Sequence, residues 1–288
     1  NYQIVRELDR LAEDLAGEYE DYYTFCHLDF DDKVPGHNDR VYVGSDYSQQ
    51  EYTFKLNDLE HVSLDGANSL LGFDKCLNLD GTEPLSWGQT LTPFYTDLRR
   101  NFMKIECWLK LNSYPAQKRY IVARHFTNGR SFRFEIEPDG KICFSHYQLD
   151  GTKKVYSSFS LPLGQWYHVA ITRSYESTPN PDQFAYEVNF YINGLSAGSH
   201  SWTGPDYGSL NYSWDDASNR IWIGGRIDSD EPCFDGFIDE FKISGVPSEG
   251  SCEASDYLPA DVNEDCYVNL KDLFLLCEQW LNSNKFSD

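Results

Sequence analysis

The feature that most constrains the fold is a series of short segments rich in β-branched and aromatic residues, separated by turn signals. They run from "TFCHLDFDD" to "FIDEFKIS", and Pro-Asp-Gly at 138–140 and Asn-Gly at 128–129 and 193–194 punctuate them. Aromatic residues make up 16% of the chain, which also favours strands. Because no helical periodicity separates these segments, the pattern predicts an antiparallel β-sandwich rather than a parallel α/β sheet.

Four blocks follow one another in a specific order: "GQWYHVAITRS", "VNFYINGLSAG", "IWIGG" and "FDGFIDEFKISG". This order resembles the LamG-like jelly roll of the concanavalin A-like lectin/glucanase superfamily, and the resemblance covers most of residues 23–247. It implies an all-β, concanavalin A-like sandwich. It does not imply a ligand, because this fold hosts lectins, adhesion modules, glycosidases and spacers.

Residues 1–22 have a different pattern. Ile4, Leu8, Leu11 and Leu15 repeat at 4-3-4 spacing between charged residues, which predicts an amphipathic helix. This helix could pack on the β domain of its own chain, or it could associate with a second copy as a short coiled coil.

The segment 248–288 reads as a polar linker followed by a calcium loop and a helix. Calcium prefers six to eight oxygen ligands, and a twelve-residue loop supplies them from positions 1, 3, 5, 7, 9 and 12. The residues at these positions are Asp261, Asn263, Asp265, Tyr267 through its carbonyl, Asn269 and Asp272. Apolar residues at helical spacing follow at once, so the sequence predicts bound Ca²⁺.

The loop, with Asp rather than Glu at position 12, resembles a type I dockerin repeat. Such domains carry two repeats that bind cohesin, whereas this chain has one. The resemblance therefore implies a metal site and leaves cohesin recognition open.

The cysteines, eight in number, include no CxxC pair, and we expect at least two disulfides in an oxidising compartment. Cys266 occupies loop position 6, where glycine is favoured, and a disulfide would offset that strain. Cys252 is the first choice of partner and Cys277 the second. The alternative is that Cys107 and Cys143, which lie in apolar segments, are buried thiols.

The charge balance limits the partners. Lys and Arg total 24 against 46 Asp and Glu, for a formal charge of -22, so nucleic acid is an unsuitable partner. No apolar run is long enough to span a membrane. We expect a secreted or cell-surface protein in a mature or trimmed form, whose export signal, if any, has been removed.

Candidate sites on the sandwich are of two kinds. The stretch 199–219 joins two strands and contains Trp202, Tyr207, Tyr212 and Trp214, which could bind sugars or could fold back over the sandwich. The superfamily resemblance implies a structural calcium near the last strand, with Asp239 as the matching residue and Asp31 as a second candidate.

Hydrolysis has weaker support. Glu135 and Glu137 share a face of one predicted strand, but a third acid is missing and a turn follows directly. We assign no catalytic residue and expect His168 to be a hydrogen-bonded residue of the sandwich.

The sequence therefore predicts a non-catalytic module that binds a glycan or an extracellular protein. The alternatives are a structural subunit, assembled through the first helix and the tail, and a glycoside hydrolase.

Overall fold

The computed structural model describes residues 23–31, 34–43, 52–70, 75–82, 86–90, 102–124, 132–148, 151–180, 182–205, 221–225 and 233–245. The chain divides into two units, Asn1–Val246 and Pro247–Asp288, and every described residue lies in the first. The predicted helix at 1–22 and the predicted loop and helix within 248–288 fall outside the described residues and stay predictions.

The described residues form two antiparallel sheets and no helix. Sheet I contains, in spatial order, β14 (Leu195–Pro205), β13 (Gln183–Ile192), β12 (Trp166–Ser177), β7 (Phe102–Leu111), β16 (Asp235–Gly245), β5 (Cys76–Asp80) and β4 (Val62–Asp65), with β1 (Tyr23–Leu28) also paired to β16. Sheet II contains β11 (Gly151–Ser160), β10 (Lys141–Gln148), β9 (Phe132–Ile136), β8 (Arg119–Arg124), β15 (Ile221–Ile223), β6 (Gly88–Thr90), β3 (Tyr52–Leu56) and β2 (Arg40–Val43). The predicted all-β sandwich is confirmed for this part of the chain.

Alternation along each strand divides side chains between the core and an outer face, which is the face turned away from the other sheet. In β7 every second residue is buried, from Met103 to Leu111, and the residues between them are half-buried. Apolar side chains of both sheets meet in one core, where Phe134 and Phe144 of sheet II join Ile105 of sheet I. Each such side chain stabilises the fold by about 1.5–3 kcal/mol.

The β13–β14 hairpin turns at Asn193 and Gly194, whose φ angles are 51° and 76°. These left-handed conformations are those of a tight hairpin turn, and they confirm the turn predicted from the Asn-Gly dipeptide. The side chain of Asn193 also accepts a hydrogen bond from the backbone N–H of His168 at 2.9 Å, which ties the turn to β12.

The edges of the two sheets meet along β11 and β14. His200 Nε2 donates a hydrogen bond to the carbonyl of Tyr156 at 2.7 Å. A side chain at Gly198 would lie 3.1 Å from the Ser158 hydroxyl, so the two edge strands come close at this point. This contact connects two edge strands that would otherwise offer unpaired backbone groups.

The cysteines of the sandwich do not fit the expected disulfide framework. No disulfide joins two described residues, and Cys26, Cys107 and Cys143 are buried thiols. Burial raises the pKa of the Cys26 and Cys107 thiols far above the ordinary range. The alternative interpretation, buried thiols in strands, is therefore confirmed for Cys107 and Cys143, and the expected framework is wrong for the described part of the sandwich.

Candidate functional site

The outer face of sheet II contains aromatic and charged side chains from neighbouring strands. Tyr120 of β8 lies opposite Glu135 of β9, and Glu135 lies opposite Cys143 of β10. These side chains point outward because their neighbours Ile121, Phe134 and Phe144 point into the core. The register thus brings three distant segments together on one surface.

Two cations hold the ring of Tyr120. Lys118 Nζ lies 5.6 Å from the ring centroid, and the guanidinium of Arg133 lies 5.2 Å from it. Cation–π contacts at these distances fix the ring and orient both positive charges on the outer face.

Glu135 is fully buried and holds two partners. Its Oε1 lies 2.9 Å from Lys118 Nζ, and its Oε2 accepts a hydrogen bond from the Ser145 hydroxyl at 2.6 Å. Both carboxylate oxygens are thus engaged, as a buried carboxylate requires. Glu135 and Glu137 do share one face, as predicted, but these contacts make Glu135 a buried ion-pair residue.

Glu135, Glu137 and Cys143 have their potential metal-ligand atoms within 4.8 Å of one another, as no other three such residues do within the described ranges. Burial and the charge of Glu135 raise the pKa of the Cys143 thiol to about 12. Without a metal ion, the thiol is therefore protonated at neutral pH. Because Lys118 and Ser145 already engage both oxygens of Glu135, we assign no metal ion to this group.

Two tryptophans lie on the same outer face. Trp222 of β15 and Trp87, just before β6, stack with centroids 5.6 Å apart and planes 14° apart, and they are 7% and 3% exposed. Gln89 lies opposite Trp222 in the ladder and is half-buried. The indole N–H of Trp222 is buried without a hydrogen-bond acceptor from the protein. Such a donor costs about 1–3 kcal/mol unless a ligand or water satisfies it.

The outer face of sheet I is held by a second ionic network. Glu106 Oε2 lies 2.9 Å from Lys104 Nζ and 3.1 Å from His168 Nε2. Although burial raises the pKa of Glu106, the hydrogen bond from His168 and the charge of Lys104 lower it to about 2. His168 also contacts the ring of Trp108 at 5.4 Å, so it is the hydrogen-bonded residue that the sequence predicted.

Trp202 does not lie in a connecting loop, because β14 continues to Pro205. Its ring stacks on Tyr186 at 5.2 Å, lies 5.8 Å from the His146 ring and packs against the core. Its indole N–H is also buried without an acceptor. Tyr207, Tyr212 and Trp214 lie outside the described residues, and the binding role of all four aromatics stays a prediction.

Asp239 and Asp31, the two acids proposed to bind calcium near the last strand, each accept a backbone hydrogen bond. Asp239 of β16 is buried, and its Oδ1 accepts a hydrogen bond from the Glu240 N–H at 2.8 Å. Asp31 Oδ1 accepts one from the Lys75 N–H at 2.8 Å. Neither acid belongs to a group of three potential metal ligands within the part of the chain described above. Their calcium role stays a prediction.

The remaining predicted site residues lie outside the described residues. These are the six calcium ligands between Asp261 and Asp272 and the cysteines Cys252, Cys266 and Cys277. Calcium binding and the Cys252–Cys266 bridge stay predictions.

Sequence reasoning missed Tyr120, Trp222, Trp87 and the cations around them. In the strand segment "NRIWIGG", Trp222 lies between two isoleucines, so its side chain must point to the face opposite theirs. That alternation was the available signal, but it does not tell which strands lie beside it.

Comparison with known structures supports the fold. Domain 4 of AbnA, a GH43 extracellular arabinanase from Geobacillus stearothermophilus solved in complex with arabinotriose, superposes with a TM-score of 0.51 at 16% identity, covering 86% of this chain and all of that domain. The mouse laminin alpha1 chain, domains LG4-5, gives 0.40 at 14% identity over 54% of this chain and 39% of that chain. The binding domain of Botulinum Neurotoxin DC in complex with SialylT gives 0.43 at 16% identity over 70% and 44%. Of these, domain 4 of AbnA has a TM-score above 0.5, and at 16% identity it supports the fold alone.

Comparison by sequence identifies the family of the chain. No curated protein sequence matches this chain. No helix among the described residues is long and apolar enough to cross a membrane. The Laminin_G_3 family, described as the concanavalin A-like lectin/glucanases superfamily, matches residues 90–249, which is more than half of the chain, and the protein therefore belongs to this family.

Proposed function

We propose that the protein is a non-catalytic module that binds a glycan on the outer face of sheet II. The observation that carries this proposal is the indole N–H of Trp222, a buried donor without an acceptor on a face lined by polar side chains. A hydroxyl or ring oxygen of a sugar would supply the missing acceptor. Binding would then recover part of the free energy that the buried donor costs.

The surroundings of Trp222 suit a sugar. The stacked rings of Trp222 and Trp87 form a mostly buried apolar floor, and the half-buried Gln89 and Arg133 provide the more accessible hydrogen-bonding groups beside it. Ala123 separates Arg133 from Trp222 in the ladder and adds only a methyl group to the surface. Sugars offer an apolar ring face and polar edges, which match a floor of this kind.

The fold comparison supports the same function. Domain 4 of AbnA, which shares this fold, was solved with arabinotriose. We further propose an extracellular location, with calcium bound at 261–272. Glu135 is buried with both oxygens engaged, so it is unsuited to flank a glycosidic bond, which supports a binding role rather than hydrolysis.

A glycan array followed by calorimetric titration of the strongest ligand tests the proposal. Trp222→Phe keeps an aromatic ring and removes the N–H, and it should weaken binding about 3- to 10-fold, the value of one hydrogen bond. Trp108→Phe, on the outer face of sheet I, is the matched control and should bind as the parent does. Circular dichroism confirms that both variants fold.

Two results would contradict the proposal. Unchanged affinity in Trp222→Phe would exclude this indole from the site. Silence across the whole array would exclude glycans and favour a protein partner.

A further inference from the structure

We propose that the ligand of sheet II is an anionic polysaccharide, whose carboxylate or sulfate groups pair with a row of basic side chains across the sheet. This inference rests on the proposed function and specifies its ligand class. It begins from the register of the strands, because residues directly opposite one another in a ladder lie on the same face.

The register aligns one residue from each strand of sheet II. Lys154 lies opposite Ser145, Ser145 opposite Arg133, and Arg133 opposite Ala123. On the far side of Trp222 and Gln89, Lys55 lies opposite Gln89, and Arg40 opposite Lys55. We call Lys154, Arg133, Lys55 and Arg40 the cation row.

The cation row is on the outer face and within reach of a ligand. Val155 and Phe54, the chain neighbours of Lys154 and Lys55, are buried in the core, so the lysines point outward. Lys154 is exposed, and Arg133, Lys55 and Arg40 are half-buried. No acid occurs in this row among the ladder partners given above, although acids outnumber basic residues 46 to 24 in the whole chain.

The nearby acids offset only part of this charge. Asp39 lies 4.0 Å from Arg40 Nε and 3.9 Å from Lys55 Nζ, and Glu135 pairs with Lys118 at 2.9 Å. Glu137, which lies near Glu135 and Cys143, is a third acid among the described residues of this face. Within the described residues, the four cations of the row and Lys118 outnumber these three carboxylates, on a chain whose formal charge is -22.

A second observation at Arg40 points to an anion. Its Nε–H is buried and has no hydrogen-bond acceptor, because Asp39 at 4.0 Å is too far away to form one. A charged donor gains most from a charged oxygen, and guanidinium groups bind carboxylate and sulfate-like oxyanions through parallel hydrogen bonds. The cation row thus contains a donor that a ligand oxyanion would satisfy.

The length of the row favours a polymer. Neighbouring strands lie about 4.8 Å apart, so a row that crosses eight strands extends on the order of 30 Å. One small anion would engage one or two of these cations, whereas an extended chain with repeated charges engages the whole row. The half-buried Gln89 in the middle of the row adds a hydrogen-bonding group that suits a sugar hydroxyl.

Titration with polysaccharides of different charge tests the inference. Polygalacturonate supplies carboxylates, heparin supplies sulfates, and neutral arabinan and dextran supply none. We expect the protein to bind an acidic polymer at least 10-fold more tightly than either neutral one. We also expect this affinity to fall as salt rises from 50 to 300 mM, because salt screens ionic contacts. The two acidic polymers distinguish carboxylate from sulfate recognition.

Variants locate the site. Lys55→Gln combined with Lys154→Gln removes both lysines of the row and should weaken acidic-polymer binding at least 10-fold. Lys75→Gln combined with Lys242→Gln removes the same charge from positions in and beside sheet I and should leave that binding unchanged. Melting curves confirm that both double variants fold.

Three outcomes would overturn the inference, and they can be told apart. The parent and the Lys55/Lys154 variant could both bind neutral and acidic polysaccharides with equal affinity. That result would support glycan binding and exclude an anionic polysaccharide as the specific ligand. Equal binding of poly-glutamate and acidic polysaccharide would show a general anion site. Binding of no polysaccharide at all would remove the proposed function as well.

Discussion

At the scale of single residues, His146 makes the folding stability of the sandwich depend on pH. It points from β10 into the interior, where it is fully buried and lies 5.0 Å from the Tyr186 ring. Burial, and then the charge of Arg173, lower its pKa well below the ordinary 6.5. The unfolded chain binds a proton near pH 6.5, and the folded chain does not. The contribution of neutral His146 to the free energy of unfolding is therefore complete above that pH. It is lost as pH falls, by up to about 1.4 kcal/mol per pH unit.

Replacement of this histidine tests the coupling. His146→Phe keeps an aromatic ring beside Tyr186 and Trp202 and removes the titrating group. Urea unfolding of the parent should show a loss of stability between pH 7 and pH 5, and the variant should show a smaller one. Equal pH slopes in the two proteins would contradict this assignment.

Glu106 loses its stabilising effect in the same direction as His146, but over a lower pH range. Its folded pKa of about 2 lies below the ordinary 4.5, so its stabilising effect is present above pH 4.5 and is lost as pH falls towards 2. The shift corresponds to at most about 3 kcal/mol. Glu106→Gln should therefore destabilise the protein at pH 7, where Lys104 and His168 lose their partner, and have little effect near pH 2.5. The same destabilisation at both pH values, measured by urea unfolding, would argue against it.

At the scale of single elements, Gly236 determines how β16 joins β7. Its φ is +154°, and a Cβ there would lie 2.2 Å from the Lys110 carbonyl oxygen. The sequence alone does not show how tight this contact is, because it depends on the register between β16 and β7. Gly236→Ala must displace backbone, and we expect it to destabilise the fold by roughly 2–4 kcal/mol.

A second glycine serves as a control that distinguishes the steric clash of an added Cβ from the strain of a positive φ angle. Gly194 also has a positive φ, +76°, but a Cβ there would meet nothing within 4 Å. Gly194→Ala should cost only about 1 kcal/mol, the strain of the left-handed conformation. Thermal unfolding compares the two variants, and equal losses of stability would show that the contact with Lys110 is unimportant.

The elements also show how far the sequence could predict the structure. Long strands such as β7 and β12 were predictable, because ten or twelve alternating residues give a clear signal. The three- to five-residue strands β2, β3, β4 and β6 were not, since so few residues give no periodicity and their pairing partners define them. The shared face of Glu135 and Glu137 followed from their spacing. The cation row did not, because it depends on register between segments distant in sequence.

At the scale of the whole molecule, calcium binding is the strongest prediction for the segment that follows the sandwich. The loop from Asp261 to Asp272 places oxygen-bearing residues at the required positions. Titration of chelator-treated protein with Ca²⁺ should release or absorb heat with one dominant site. Asp261→Ala with Asp265→Ala should abolish that heat, because two carboxylate ligands are lost. Calcium binding that persists in this variant would exclude the loop, and no heat in the parent would exclude the prediction altogether.

The central claim for the whole molecule is that an acidic chain uses the outer face of sheet II of its sandwich to bind a glycan. The most direct measurement is a crystal structure of the protein with the oligosaccharide that binds best on the array. We expect the sugar to lie across β9, β8 and β15, with one of its oxygens within hydrogen-bond distance of Trp222 Nε1. An oligosaccharide bound to sheet I or to the rim of the sandwich, with the Trp222 N–H still unpaired, would contradict the claim.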